Sequence, residues 1–260
     1  MRVALALAAV LMTAAAPAAK DAGKEVGGGM IPIAPENLLV IQTTKGRVLV
    51  ELRPDVAPGH VARIRLLARK GYYDDNVFYR VFPDYLAQTG QKRVGGDSAS
   101  GEGTLKAEFT FTPAVAPTPV GERAAFLGTL PVGLTSDGRG FVRFCPGVAA
   151  MAHYDDPDSG DSQIFFTTGD ASALEKQFTA WGRVVSGLEA LKSVAPGEPP
   201  AAPDRMLSVR VAADLPEAER PRVRYAAPDS APFKAAVAKL KKEKGDIRPC
   251  DLQVPVEVTG

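Results

Sequence analysis

The chain has 260 residues, 45% of them hydrophobic, enough for one sizeable core and compatible with one or two domains. A net charge of +1 argues against a nucleic-acid or membrane-surface binder. The two histidines and two cysteines stand far apart, which excludes the usual zinc spacings and leaves no metal site to expect.

Arg2 precedes an apolar run, Val3 to Met12, and Ala16-Pro17-Ala18 supplies an A-x-A cleavage signal. Residues 1–18 therefore read as a secretory signal peptide, with a disordered Ala-rich tail as the open alternative. The run is shorter than the roughly 20 residues that span a bilayer, and no other stretch is long enough, so no membrane span is expected. The expectation is an exported protein, periplasmic if its source is a Gram-negative bacterium. Cys145 and Cys250 permit one disulfide in such a compartment, although sequence alone leaves two packed thiols open. Residues 19–37 mix Gly, Pro and charge without periodicity and read as a flexible leader.

Residues 39–43 and 47–52 are β-branched and partly alternating, and Lys45-Gly46 between them predicts a hairpin turn. Pro58 suits a first helical turn, Val61, Ile64, Leu67 and Ala68 form one apolar stripe, and Gly71 ends the helix. His60, near its start, reads as a solvated helix residue. Strands are predicted at 77–82, 85–89, 104–111, 147–152, 163–168, 178–185 and 206–211, with a short helix from Gly187 to Val194. The Gly-rich stretch 95–103 lacks a following Lys-Ser/Thr and a helix, so it reads as a surface loop. Residues 112–143 are Pro- and Gly-rich with broken apolar patches. After about residue 214 the chain turns polar and Pro-rich, with one helix in which Ser230 is the cap, Phe233, Val237 and Leu240 the apolar edge, and Gly245 the stop. Many short strands and few helices imply a mainly β fold, a closed or nearly closed barrel.

The acidic cluster at Asp155, Asp156, Asp158 and Asp161 lacks the closing glutamate of a calcium loop and is explained by a turn. No G-x-S-x-G elbow supports a hydrolase at His153. What remains is Arg80 and Gln88 among Phe78, Tyr85, Leu86, Phe165, Leu174 and Phe178. Alternation along 77–82 would put Phe78, Arg80 and Phe82 on one face. From the residues alone Arg80 is first of all a strand arginine paired with a carboxylate, and only second a ligand-binding cation.

Two blocks shift that balance. VFYRVFPDYLAQTGQ (77–91) resembles the F-H-R-V-I-P-G-F-x-x-Q-G-G-D signature of the cyclophilins, the peptidyl-prolyl cis–trans isomerases. GVAAMAHYDDPDSGDSQIFFTTGDASALEKQFTAWGRVVSG (147–187) resembles the family's G-x-x-S-M-A-N/R…S-Q-F-F-I…L-D…F-G-x-V-x-x-G. The resemblance covers roughly 38–213. It implies an eight-stranded antiparallel barrel capped by two α-helices, here followed by a C-terminal extension from 215 to 260. It also implies that Arg80 is catalytic and that Gln88 orients it. Tyr85, Leu86, Phe165, Leu174 and Phe178 would form the proline pocket, and Ala152, His153 and Tyr154 the strand that grips the peptide. No cofactor is implied. The partners would be proline-containing peptides and unfolded exported proteins, met by a monomer. A proline-peptide binding module or holdase with little turnover is the alternative. Departures from the pattern include Tyr79 for His, Asp84 for Gly, and the bulkier His153 and Tyr154. The insert 112–143 is longer than the family needs and is placed to cover or extend the site.

Overall fold

The computed structural model describes residues 28–91, 95, 99–121 and 124–260. The expected signal peptide and the first part of the leader lie outside the described residues. Strands in the N-terminal part are β1 (Met30–Pro32), β2 (Leu38–Thr43), β3 (Gly46–Leu52), β4 (Asn76–Val77), β5 (Arg80–Phe82) and β6 (Leu86–Thr89), with helix α1 (Pro58–Arg69) after β3. Then come β7 (Thr118–Pro119), β8 (Ala125–Leu127), β9 (Leu130–Leu134), β10 (Gly140–Val142), β11 (Val148–Met151), β12 (Ile164–Thr167) and β13 (Thr179–Ser186). Helix α2 (Leu188–Lys192), β14 (Arg205–Val211), β15 (Arg222–Ala226), α3 (Ala231–Lys244) and β16 (Val256–Thr259) complete the order.

The main sheet is antiparallel throughout and curls in the order β4-β14-β2-β3-β13-β11-β12-β6-β5. It has nine pairing segments, because the expected strand 77–82 is broken around Phe78 and Tyr79: β4 pairs with β14, and β5 with β6. The hairpin turn sits one residue earlier than predicted, at Thr44-Lys45, since Thr43 pairs with Gly46.

Strands β2 and β3 are nearly continuous in apolar residues because both of their faces are covered. Leu39, Ile41, Val48 and Val50 face the main core, where Val61, Ile64 and Leu67 of α1 and the buried rings of Tyr73, Phe78 and Trp181 meet them. Leu38, Val40 and Leu49 face the other way, onto Ile33, Ala212 and Val223. No helix of the described residues is long and apolar enough to cross a membrane.

Helix α1 has Pro58 in its first turn and no side-chain cap of its own. Glu108 supplies one from a distance, accepting from the backbone N–H of Gly59 and of His60, each at 3.0 Å. Its Oε2 also lies 2.6 Å from His60 Nδ1. Burial alone would raise the Glu108 carboxyl; hydrogen bonds from His60 and the two backbone N–H groups outweigh burial and hold it below the usual carboxylate range. His60 is thus a buried, paired residue, not the solvated one expected. The segment that brings Glu108 is not the strand predicted over 104–111. It pairs only at single residues, Leu105 with Gly160 and Phe111 with Gly140.

The insert forms its own four-stranded antiparallel sheet, ordered β10-β9-β8-β7. The C-terminal extension builds a second small sheet in which β15 lies between β1 and β16. Residues 30–32, expected within a flexible leader, are therefore an edge strand, held because β15 offers them a ladder. Ser230 caps α3 by accepting from Phe233 N, and Gly245 at φ 79° ends it. Insert and tail share a core of Val120, Phe126, Phe233, Ile247, Leu252 and Val254. Cys145, at the end of the insert, is bonded to Cys250 in the tail, with Cα atoms 4.9 Å apart.

A charged knot locks these parts to the main sheet. Arg53 donates to Leu127 O of the insert at 2.6 Å and to both Asp55 oxygens. Arg183 donates to Gln253 Oε1 of the tail at 2.9 Å. Thr129 donates to Glu51, whose carboxyl burial pushes up against the opposing pull of Arg53. Arg53 and Glu51 are tolerated in the interior because each finds partners, whereas Arg183 keeps one buried nitrogen, Nη1, without a hydrogen bond.

Candidate functional site

The β5–β6 hairpin places Arg80 directly opposite Gln88, and Gln88 in turn pairs with Phe165 of β12. Gln88 is buried, and its Oε1 accepts from Arg80 Nη1 at 3.4 Å. The Arg80 guanidinium lies over the Phe82 ring, 5.0 Å from its centroid, which supports it from below. Its Nε stands 2.7 Å from Glu198 Oε1. The sequence reading of a carboxylate-paired arginine thus describes one edge of the guanidinium, and the ligand-binding reading concerns the rest.

The amide nitrogen of Gln88, Nε2, joins a polar network. Gln88 Nε2 donates to Tyr79 Oη at 2.6 Å and to Gln163 Oε1 at 3.2 Å, and Tyr79 Oη donates to Gln163 Oε1. Burial pushes the Tyr79 hydroxyl up to about 12, so it remains a neutral donor at ordinary pH. The network fixes which way the Gln88 oxygen points, and hence where Arg80 is held. Gly90 lets β6 come this close to the 162–163 backbone: its φ is +116°, and a Cβ would stand 2.7 Å from Gln163 Cα and 2.8 Å from Ser162 O.

Beside Arg80 is one apolar cluster. Leu86 and Phe165 are buried in it, and Phe82, Tyr85, Ala152, Leu174 and Phe178 pack against it as partly buried residues. The Phe165 and Phe178 rings meet edge to face at 5.4 Å, the geometry that aromatic quadrupoles favour. Phe144 backs Phe165 from the end of the insert, centroids 6.3 Å apart. The insert contributes to this cluster: Leu130, Val132 and Val142 belong to it. Phe78 does not. The break between β4 and β5 turns it into the main core, so it does not share a face with Arg80 and Phe82 as alternation had suggested.

A groove of about 460 Å³ continues from Gln88, lined by Ala152, His153, Tyr154, Gln163 and Thr104 among others. Ala152 N is used internally, donating to Gln163 O at 2.8 Å. His153 does not project into open space. Its ring stacks on Phe178 at 4.5 Å, with Nε2 2.7 Å from Gln177 O and Nδ1 2.5 Å from Tyr154 O. Tyr154 is the exposed member, at 72%.

The structure therefore brings together Arg80, Gln88, Tyr85, Leu86, Ala152, His153, Tyr154, Phe165, Leu174 and Phe178. Cys145 and Cys250 are bonded to each other and belong neither to the apolar cluster nor to the groove lining. Sequence reasoning missed Gln163 and Glu198, whereas it placed Phe82 on the face of Arg80 without giving it a role. Gln163 carried a signal, since it alternates with Phe165. Glu198 sits in a Pro-rich loop with no periodicity and carried none.

Comparison with known proteins places this geometry in a family. The family model for cyclophilin type peptidyl-prolyl cis-trans isomerases matches residues 38–211. A probable peptidyl-prolyl cis-trans isomerase of Brucella suis is 33% identical over 196 residues, covering 69% of this chain and 85% of that protein. The crystal structure of the cyclophilin AquaCyp293 from Hirschia baltica superposes with a TM-score of 0.82 at 28% identity, over 94% of this chain and 98% of that one. A cyclophilin type isomerase of Cryptosporidium parvum, crystallised in the presence of the dipeptide Ala-Pro, shares the fold at 16% identity and a TM-score of 0.51, over 67% of this chain and 98% of its own. The chain belongs to the cyclophilin family and is a peptidyl-prolyl cis–trans isomerase.

Proposed function

We propose that this isomerase turns Xaa-Pro bonds in exported proteins, with Arg80 as its catalytic group and the Phe165 cluster as its proline pocket. The observation that carries the reading is a guanidinium held by Gln88 beside the apolar cluster of Leu86, Phe165 and Phe178. In the fold, we read 76–82 as one interrupted strand. Val77 N donates to Gln91 O, so β4 bridges toward the β6 end, and the curled sheet closes as an eight-stranded barrel with α1 and α2 as its caps.

The chemistry needs no bond broken. Resonance opposes rotation of the peptide bond by about 18–20 kcal/mol, and before proline the isomers are nearly isoenergetic but exchange over tens to hundreds of seconds. In the twisted state the proline nitrogen becomes a pyramidal acceptor. A guanidinium near that nitrogen, also holding the proline carbonyl, favours the twisted state over either planar one. Leu86, Phe165, Leu174, Phe178 and Tyr85 anchor the ring while the acyl side turns. The groove along Ala152–Tyr154 offers the flanking backbone a wall. Lysine could not replace Arg80, because it has no planar fork to share between Gln88 and a substrate.

Phe165→Ala should weaken binding of a proline peptide about tenfold, read by titration at a temperature where a thermal melt shows the variant folded. Unchanged affinity would move the pocket elsewhere. Export is supported by the pattern of residues 2–18 and by a disulfide that suits an oxidising compartment. Cell fractionation with mass measurement should find the protein outside the cytoplasm and shortened after residue 18. A full-length cytoplasmic protein would refute export while leaving the isomerase reading intact.

A further inference from the structure

Glu198 belongs to the loop 193–204 between α2 and β14, and that loop is pinned rather than free. Gly197 exchanges both backbone hydrogen bonds with Val81, at 2.9 and 3.0 Å, so the loop adds to the outer edge of β5. Asp204 ties the loop back on itself and to the β2–β3 turn, accepting from Ala195 N at 2.8 Å and from the Thr44 hydroxyl at 2.7 Å. Gly197 has φ +140°, and a Cβ there would stand 2.9 Å from Pro199 O and 2.7 Å from Pro200 Cα, so the bend requires glycine. Pro199 and Pro200 stiffen the loop on the far side of Glu198.

This places a carboxylate at a fixed point beside the proline pocket. Arg80 Nη1 faces Gln88 and the groove side, while Nε faces Glu198 on another edge of the guanidinium. The Nε–H does not point along the 2.7 Å line to Oε1, so the contact is an ion pair without hydrogen-bond geometry. Glu198 is the more exposed partner, 54% against 42%, so its carboxylate stays open to a ligand while paired with Arg80.

We propose that Glu198 is a specificity-determining residue that makes this isomerase prefer a lysine or arginine directly after the proline. The inference rests on the reading of Arg80 as the group that holds the proline carbonyl. The next residue of the peptide is bonded to that carbonyl, so its side chain leaves beside the guanidinium, on the flank where Glu198 stands. A cationic side chain there gains an attraction, and an acidic one is repelled. An exposed ion pair contributes about 0.2–1 kcal/mol, which corresponds to a preference of about threefold at low ionic strength. The preference should shrink as salt is raised and the Debye length shortens.

The test measures kcat/KM for peptides that differ only in Lys, Gln or Glu after proline, and for a second set varied before proline. Wild type, Glu198→Gln and Glu198→Lys are compared. The Lys-to-Glu ratio within each protein is the readout, because it cancels any loss of turnover common to all peptides. The expected ratio after proline is about three in wild type, near one in Glu198→Gln and below one in Glu198→Lys. A ratio unchanged by both substitutions, or a charge preference found only before proline, overturns the proposal. Wild-type activity that survives Arg80→Ala would overturn the Arg80 reading itself and this inference with it.

Discussion

Arg80→Ala should lose about 100- to 1,000-fold in the isomerisation of an Xaa-Pro peptide, the effect of removing one preorganised donor at the point where charge develops. The fold should survive, because the Arg80 side chain is 42% exposed and what is lost is an exposed ion pair, one long hydrogen bond and a contact with the Phe82 ring. Circular dichroism and a thermal melt beside the kinetics separate the two effects. Arg80→Lys is the sharper companion. It keeps the charge and the Glu198 attraction but loses the fork, and it should fall nearly as far as alanine. If lysine restored most turnover, the guanidinium would act as a point charge only, and the role given to Gln88 would go with it. If alanine turned over as fast as wild type, catalysis would reside elsewhere.

The second large effect concerns stability. Cys145 and Cys250 close a loop with a sequence separation of 105 residues. In the chain-entropy model a loop of about that length constrains the unfolded chain by about 4.7 kcal/mol. The paired variant Cys145→Ser/Cys250→Ser should therefore melt roughly 10–20 °C lower than wild type. Reduction of the wild type should reproduce the shift. The loop spans the end of the insert, the strands β11 to β14 and the whole of β15 and α3, so its loss bears on the union of tail and main sheet. Unchanged melting would mean that the Phe126–Phe233 core and the Arg183–Gln253 contact hold the tail without it.

Much of this architecture was legible in the residues. The alternating or doubly apolar runs gave β2, β3, β11, β12, β13 and β14, and the stripe from Val61 to Ala68 gave α1. Ser230 and Gly245 marked both ends of α3. The candidate site residues came from the resemblance to a family motif rather than from periodicity, and antiparallel pairing of β6 with β12 brings two of them, Gln88 and Phe165, side by side. What was not legible depends on distant chain. Arg222-Val223-Arg224-Tyr225-Ala226 alternates, yet it is a strand only because β1 and β16 flank it. TLKAEFTF has strand composition but finds partners at just two isolated bridges. His60 looked solvated because Glu108, 48 residues away, could not be assigned to it from sequence. Phe78 changed sides because one break in a short strand reverses the alternation.

The small terminal sheet carries a further consequence, for the order in which the protein can be assembled. Met30 of β1 pairs with Ala226 of β15, so one of the first ordered strands meets its neighbour almost 200 residues later. During synthesis from the N-terminus, every strand of the main sheet exists before β15 does. The main sheet can thus form while β1 and the outer faces of Leu38, Val40 and Leu49 still wait for the cover that Val223 supplies. Pairing of β1 with β15 must therefore wait for the C-terminal extension, and until it arrives the apolar outer face of β2 and β3 lacks part of its cover.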